Sequence, residues 1–348
     1  MYKTDGLRTD PIDSLITPQA LADEFPISEE IIENIAISRK NIELILTGKD
    51  HRLMAVIGPC SVHDPQAALE YAKMLVKLRI EYKDYLEIVM RTYFEKPRTV
   101  IGWKGLISDP DLNNSCKVNK GLRVARKLLT NINQLKLPTA TEFLDIIIGQ
   151  YVADLISFGT IGARTTESQI HRQMASALSC PVGFKNSTDG NINIALDAIR
   201  SARSGHVFLL PDKNGHVTIY QTKGNPYSHI IMRGGKRPNY STEDIALACS
   251  QLRQLGLPEK LVIDFSHGNC QKIYQRQLDV AKNIAQQLKK GSRTIAGIMV
   301  ESFLVEGSQK VISGKALTYG QSITDPCLGW RDTEQLLSIL AEAVKHRF

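Results

Sequence analysis

Val207-Phe208-Leu209-Leu210-Pro211-Asp212-Lys213-Asn214-Gly215-His216-Val217-Thr218-Ile219-Tyr220-Gln221 decides how many strands the sheet of this chain can hold. Two β-branched runs, 207–210 and 217–221, flank Asp212-Lys213-Asn214-Gly215, a strong turn signal. Counted as a strand of its own, 207–210 is one of nine strand-like runs, with 54–60, 87–94, 139–143, 160–164, 182–185, 230–233, 261–267 and 295–301. Between Leu210 and Ile230 there is no room for a helix and its loops, yet parallel pairing needs a crossover of about a dozen residues or more. Residues near 206–222 therefore read as an inserted β-hairpin, and eight runs remain. Each alternates with a helical pattern, such as 65–78 and 191–202. That number of βα units predicts an α/β chain folded as a (β/α)8 TIM barrel, over residues 51–348.

Outward from this core, residues 1–50 read as a helical extension for oligomer contact or regulation. Thr17-Pro18 predicts a capped helix start, and Ser28 a second one that runs to Gly48 with Ile31, Ile35, Ile42 and Ile45 near helical spacing. A length of 348 residues suits one barrel with extensions, and 43% hydrophobic with 23% charged residues is ordinary for a globular protein. No apolar run approaches the ~20 residues that span a bilayer, and the N-terminus lacks an apolar signal core. Six scattered cysteines, at 60, 116, 180, 249, 270 and 327, are no disulfide framework, so free thiols in the cytoplasm are expected. The net charge of +7 is not gathered into a basic run or a nucleic-acid signature, so neither nucleic acid nor membrane is expected as partner. A pocket for small anions accounts for the excess better, with a solvated basic surface supplying the rest.

Barrel active sites lie at the C-terminal ends of the strands. In order these ends read Cys60, Arg91, Glu142, Arg164, Lys185, Arg233, His267 and Glu301. Charged residues, His and Cys make up about a quarter of the chain. With two registers per strand, eight hits arise by chance on the order of once in a few hundred arrangements. Arg91, Arg164, Lys185 and Arg233, with Lys96 and Arg98 from Glu95-Lys96-Pro97-Arg98-Thr99, would converge on one mouth. Cations held so close repel unless anions arrive, which implies a polyanionic substrate. Any one of them alone would read better as a surface ion pair.

Cys60, His267 and Glu301, with Asp325 from the loop after the last strand, form the second subset. Thiolate, imidazole and carboxylate together suit Mn, Fe, Co, Zn or Cu rather than Mg or Ca. Barrel closure makes the first and eighth strands neighbours, so their sequence separation is no obstacle. The residues alone leave alternatives open. Cys60 could be a small core residue, His267 a core histidine or general base, and Glu301 a partner for the cations. Cys270 and Cys327 are rival thiols.

Several motifs carry a resemblance. Ile57-Gly58-Pro59-Cys60-Ser61, 90–99 (Met-Arg-Thr-Tyr-Phe-Glu-Lys-Pro-Arg-Thr) and Ile161-Gly162-Ala163-Arg164-Thr165-Thr166-Glu167-Ser168 are similar to those of type I 3-deoxy-D-arabino-heptulosonate 7-phosphate (DAHP) synthases. Gly183-Phe184-Lys185-Asn186, Met232-Arg233-Gly234-Gly235, Asp264-Phe265-Ser266-His267-Gly268-Asn269 and the 319–325 segment are similar too. The resemblance runs from about residue 8 to the C-terminus. It implies a metal-dependent, aldol-like condensation of phosphoenolpyruvate with D-erythrose 4-phosphate and water, giving DAHP and phosphate as the first step of the shikimate pathway. It implies Cys60, His267, Glu301 and Asp325 as ligands of one divalent ion, Mn, Fe, Co or Zn. Arg91, Lys96, Arg164, Lys185 and Arg233 would hold phosphoenolpyruvate, with Glu142 beside them. Pro97, Arg98 and Thr99 would help hold the aldose phosphate. Lys96 is the expected proton donor to the developing alkoxide, with Cys60, His267 and Asp325 completing the catalytic set. One departure is Ser187, where the family commonly has Gly.

Thr139-Ala140-Thr141-Glu142-Phe143, Ile148-Gly149-Gln150 and Asn225-Pro226-Tyr227 resemble the tryptophan-responsive members most. An effector cavity near Ile146, Gly149, Leu178 and Ser179 is expected, partly covered by the N-terminal extension. A homodimer or homotetramer is expected. Two other readings compete. A metal-free aldolase would use Lys185 as a Schiff-base nucleophile, and a non-catalytic sensor of aromatic amino acids would bind effector without turnover.

Overall fold

A computed structural model describes residues 3–98, 101–312 and 314–347. Residues 3–17 form no helix or strand. Two helices follow, α1 (Pro18–Glu24) and α2 (Glu29–Leu46). Both start where the caps predict. Thr17 Oγ1 accepts the Ala20 N–H at 3.2 Å ahead of Pro18, and Ser28 Oγ accepts that of Ile31 at 3.3 Å.

The alternation then runs β1 (Leu53–Gly58), α3 (Pro65–Glu81), β2 (Leu86–Arg91), α4 (Val118–Gln134), β3 (Thr139–Glu142), α5 (Gly149–Val152), β4 (Phe158–Ile161) and α6 (Gln169–Ala177). It continues through β5 (Val182–Lys185), α7 (Asn193–Ala202), β6 (Val207–Pro211), β7 (Val217–Gln221), β8 (His229–Met232) and α8 (Thr242–Gln254). The last elements are β9 (Leu261–Asp264), α9 (Gln277–Lys289), β10 (Ile295–Glu301), β11 (Val305–Ser308), β12 (Gln321–Ser322) and α10 (Trp330–Lys345). Eight strands close into a parallel barrel in the order β1-β10-β9-β8-β5-β4-β3-β2. The decisive stretch stands apart: β6 and β7 pair only with each other, antiparallel, from Val207↔Gln221 to Pro211↔Val217. Asp212 Oδ1 accepts the N–H groups of Asn214 and His216, and Gly215 takes a positive φ of 85° to close the turn.

Three expectations need correction. Several strands stop sooner than their β-branched runs, so Cys60, Arg164, Arg233 and His267 lie in the loops beyond Gly58, Ile161, Met232 and Asp264. The causes are local. Pro59 has no N–H for the ladder, Thr165 and Thr166 turn back onto the Gly162 carbonyl, and the Ser266 N–H and hydroxyl fold onto Asp264 Oδ1. Second, β3 is followed by no long amphipathic helix, only by the single turn α5 and a 3₁₀ turn. Third, the chain after β10 is not a simple loop. The strands β11 and β12 pair, and Gly307 and Cys327 exchange backbone hydrogen bonds of 2.9 and 3.1 Å, which anchors the segment bearing Asp325.

Side chains from alternate positions, among them Met54, Val56, Val89, Phe158, Ile231 and Met299, fill the barrel interior. Ile42, Ile45 and Leu46 of α2 belong to the same cluster, so the extension plugs the floor of the barrel. Polar contacts fix it there. Ser38 and Asn41 of α2 reach the buried Glu87 of β2, which also pairs with Arg52 at 2.8 Å and Arg79 at 3.1 Å. The opposite positions of the strands pack outward on the helices. With the floor closed, the free face of the barrel is the one where the strands end.

Candidate active site

A cavity of about 880 Å³ opens at that end. Lys96, Pro97, Arg98, Glu142, Arg164, Lys185, Arg233, His267 and Asp325 line it. Arg91 lies beneath, fully buried. Its guanidinium stacks 3.9 Å from the Tyr93 ring centre, Nη2 meets Glu301 Oε1 at 3.2 Å, and buried Nη1 has no hydrogen-bond partner among the described residues. An unsatisfied buried cationic donor under a pocket marks where an acceptor is missing. Thr99 falls outside the described residues.

The second subset gathers on the same rim. One ligand atom each from Cys60, Glu301 and Asp325 lie within 4.8 Å of one another. His267 stands beside this trio rather than within it, with Nε2 3.8 Å from Glu301 Oε1. Its other nitrogen is held from behind, Nδ1 lying 2.9 Å from Asp264 Oδ2 and 2.7 Å from Ser266 Oγ. A carboxylate behind one imidazole nitrogen leaves the other to coordinate, a usual arrangement for metal-binding histidines. His267 also holds a left-handed φ of 59°, shared in this loop by Gln271 and Lys272, the kind of backbone strain that gathers at working sites. The rival thiols are otherwise engaged: the Cys327 sulfur accepts the Cys60 N–H at 3.4 Å, and the Cys270 thiol faces the His267 carbonyl.

Electrostatics separate the two subsets. Burial pushes the Cys60 thiol up to about 11, and Glu301 adds to the rise while Lys96, whose Nζ lies 3.2 Å from Sγ, opposes it. Burial works against the charge of Lys96, but Cys60, Glu301, Glu142 and Asp325 raise its pKa and keep it an ammonium. Burial likewise opposes Asp264 ionisation, yet His267 and Lys185 hold its carboxyl well below the usual range. The Lys185 ammonium sits 3.1 Å from that carboxylate, which outweighs burial and raises the lysine above its ordinary value. A lysine held charged in this way is a poor Schiff-base nucleophile.

Sequence reasoning missed Asp264, which ends β9 and touches both subsets, and the rim lysines Lys236 and Lys272. Asp264 is visible as an acidic residue closing an apolar run, but only the shortened strand makes it the strand end.

A second cavity, of about 540 Å³, lies among α2, α5, α6 and the hairpin. Ile146, Gly149, Leu178 and Ser179 all line it, opposite Ile32 and Ile35 of α2 and Phe208 and Leu210 of β6.

Comparisons with known proteins bear on both cavities. The family described as "DAHP synthetase I family" matches residues 25–338. A relative from Enterobacter agglomerans named phospho-2-dehydro-3-deoxyheptonate aldolase, Trp-sensitive, is 66% identical, and one of the same name from Escherichia coli (strain K12) is 65% identical. Each alignment covers 100% of both chains. A solved structure of phospho-2-dehydro-3-deoxyheptonate aldolase from Francisella tularensis SCHU S4 superposes with a TM-score of 0.96 at 47% identity, covering 98% of this chain and 99% of the other.

Proposed function

The chain belongs to the DAHP synthetase I family, and from that premise we propose how its two cavities do the family's work. The reaction is the condensation of phosphoenolpyruvate with erythrose 4-phosphate and water to DAHP and phosphate, the first step of the shikimate pathway, with tryptophan as feedback inhibitor. One observation carries the assignment of residues: a soft-and-hard donor trio within 4.8 Å shares a rim with a ring of cations.

The family depends on a divalent metal, and the donors here fit one. Cys60, Glu301 and Asp325 would hold it with His267, and the mixture of thiolate, imidazole and carboxylate favours Mn, Fe, Co or Zn. Such an ion supplies Lewis acidity to a carbonyl oxygen. The chain's own residues do the rest. Arg91, Arg164, Lys185 and Arg233 bind the phosphate and carboxylate of phosphoenolpyruvate; buried Arg91 Nη1 and the charged state of Lys185 support this. Pro97, Arg98 and Thr99 hold the aldose phosphate at the outer edge. Lys96, an ammonium beside Cys60, donates the proton to the alkoxide formed as the enol carbon of phosphoenolpyruvate attacks the aldehyde. Water then adds to the adjacent carbon, giving up its proton to a carboxylate such as Glu142, and phosphate leaves by C–O cleavage.

Tryptophan occupies the second cavity, whose volume suits one small molecule and whose lining includes Ile146, Gly149, Leu178 and Ser179. Residues 1–50 act as a regulatory and contact extension on a catalytic barrel of residues 51–348, with α2 forming one wall of that cavity. The protein works in the cytoplasm as a homodimer or homotetramer. The exposed apolar face of the hairpin, Val207, Leu209, Val217 and Ile219, supports self-association. Among the described residues no helix is long and apolar enough to cross a membrane.

The test is phosphate release from phosphoenolpyruvate, with and without erythrose 4-phosphate, before and after chelation. Release should need both substrates, vanish with chelator and return with Mn or Co. Release without the aldose, or full activity after chelation, would overturn the reading.

A further inference from the structure

Three loops bearing rim residues meet behind the active-site cavity, and three buried asparagines join them. The loop after β5 follows Lys185, the loop after β8 begins at Arg233, and the loop after β9 contains His267. Asn186 Oδ1 accepts the Arg233 N–H at 2.8 Å, and its Nδ2 donates to the Gly234 carbonyl at 3.0 Å. Asn239 Oδ1 accepts the Gly234 N–H at 2.8 Å, while its Nδ2 donates to Asn186 Oδ1 at 3.3 Å. Asn269 Oδ1 accepts the Asn239 N–H at 2.8 Å, and its Nδ2 donates to the carbonyls of Asp264 and Met232 at 2.7 and 3.0 Å. The oxygen and nitrogen of each of these three side-chain amides are hydrogen-bonded, and all three residues are buried.

The backbones beneath these bonds are nearly in contact. A Cβ on Gly235 would lie 2.3 Å from the Gly190 nitrogen, and one on Gly234, at φ +71°, would lie 2.6 Å from the Asn269 nitrogen. The loops meet through these glycine contacts, the asparagine bonds and two backbone hydrogen bonds, from the Gly268 N–H to the Arg233 carbonyl at 3.0 Å and from the Lys236 N–H to the Asp189 carbonyl at 3.4 Å. The chemistry of the linker matters as well. Lys185 and Arg233 are like charges that repel when no anion lies between them. A carboxylate linker would hold the loops together but would neutralise the cations and compete with an anionic ligand. A neutral amide supplies donor and acceptor with no net charge.

We propose that Asn186, Asn239 and Asn269 form a positioning relay that fixes Lys185, Arg233 and His267 relative to one another for phosphoenolpyruvate binding. The relay rests on the assignment of Lys185 and Arg233 to phosphoenolpyruvate. Asn239 is its central member, because it bonds to both of the others and lies on neither catalytic strand. It is a positioning residue and contacts no reacting atom.

The experiment compares wild type, Asn239→Ala, Asn239→Asp and Asn133→Ala. Asn133 is a buried asparagine on α4, bonded to the Leu129 and Leu155 carbonyls away from the rim, and serves as the stability control. KM for each substrate, kcat and the thermal midpoint are measured for each. Asn239→Ala should raise the phosphoenolpyruvate KM about tenfold or more, with the erythrose 4-phosphate KM changed less than about twofold. Asn239→Asp keeps the side-chain shape and the acceptor for Gly234, so it guards against failure of the Ala variant to fold. It should also raise the phosphoenolpyruvate KM, because it loses the bond to Asn186 and adds a competing charge. Asn133→Ala should lower the thermal midpoint and leave both KM values in place. A phosphoenolpyruvate KM unmoved in whichever Asn239 variants fold, with a lowered midpoint, would overturn the relay and leave a merely structural network. Wild type lacking turnover of phosphoenolpyruvate would instead overturn the functional assignment beneath it.

Discussion

Asp264 concentrates what a single residue does in this site. Its carboxylate steadies the Lys185 ammonium on one side and the His267 ring on the other. Asp264→Asn keeps the shape but removes the charge behind His267, and metal affinity should fall about 10- to 100-fold. Metal titration of the apoprotein, read by bound metal, checks this; unchanged affinity would place His267 outside the ligand set. Glu95 gives a different signature. Burial, then the Asp145 and Glu142 carboxylates, push its carboxyl up to about 8. A carboxyl raised on folding leaves stability intact below the unfolded value near 4.5 and loses it as pH rises through 8. Glu95→Gln should therefore flatten the fall in stability between pH 5 and 8.5, recovering on the order of a few kcal/mol at the alkaline end. Denaturant melts across that range measure it. At this scale the sequence was legible for residue type but not for partnership. Cys60, Glu301 and Asp325 announced a donor set, whereas Asp264 lay hidden because its importance comes from two residues far away in the chain. The hydroxyl of Ser187, a departure from the family pattern, bonds within its own turn to Asp189 and Asn191 and leaves the neighbouring Lys185 contact with Asp264 intact.

Among elements, the hairpin and α2 add to the barrel two walls of the second cavity. The periodicity of α2 was readable, but not its double duty. Ile42, Ile45 and Leu46 near its C-terminus plug the barrel floor, while Ile32 and Ile35 nearer its start wall the second cavity. Helical spacing reveals an apolar face and says nothing of what the face covers. The hairpin was readable because turn chemistry is local and chain length between Leu210 and Ile230 excludes a crossover. The loops that end the strands were less so, since Pro59 and the Ser266–Asp264 bonds cut ladders that β-propensity alone would continue. Filling the second cavity tests its role. Ser179→Trp should abolish tryptophan inhibition and leave kcat within about threefold, because among the described residues the cavity shares no lining residue with the active site. Steady-state rates with and without tryptophan report it; inhibition at wild-type strength would remove the effector from this cavity.

For the whole molecule, closure is what turns sequence-distant residues into neighbours. Pairing of β1 with β10, from Met54↔Gly297 to Gly58↔Glu301, brings Cys60 and Glu301 together. That step was predictable from the count of eight, whereas the assembly above the single chain was not, because a partner's surface leaves no mark in one sequence. The hairpin's exposed apolar face offers a test. Leu209→Lys with Ile219→Lys should shift sedimentation toward smaller species without loss of fold, as both side chains are largely exposed here. An unchanged sedimentation profile would move the interface elsewhere. The central claim, two functions on one barrel rim, is tested most directly by anomalous scattering from crystals loaded with Mn and phosphoenolpyruvate. A single strong anomalous peak bounded by Cys60, His267, Glu301 and Asp325 is predicted, with the phosphoenolpyruvate phosphate against Arg164, Lys185 and Arg233. A peak at Cys270, or phosphoenolpyruvate seated away from those cations, would contradict it.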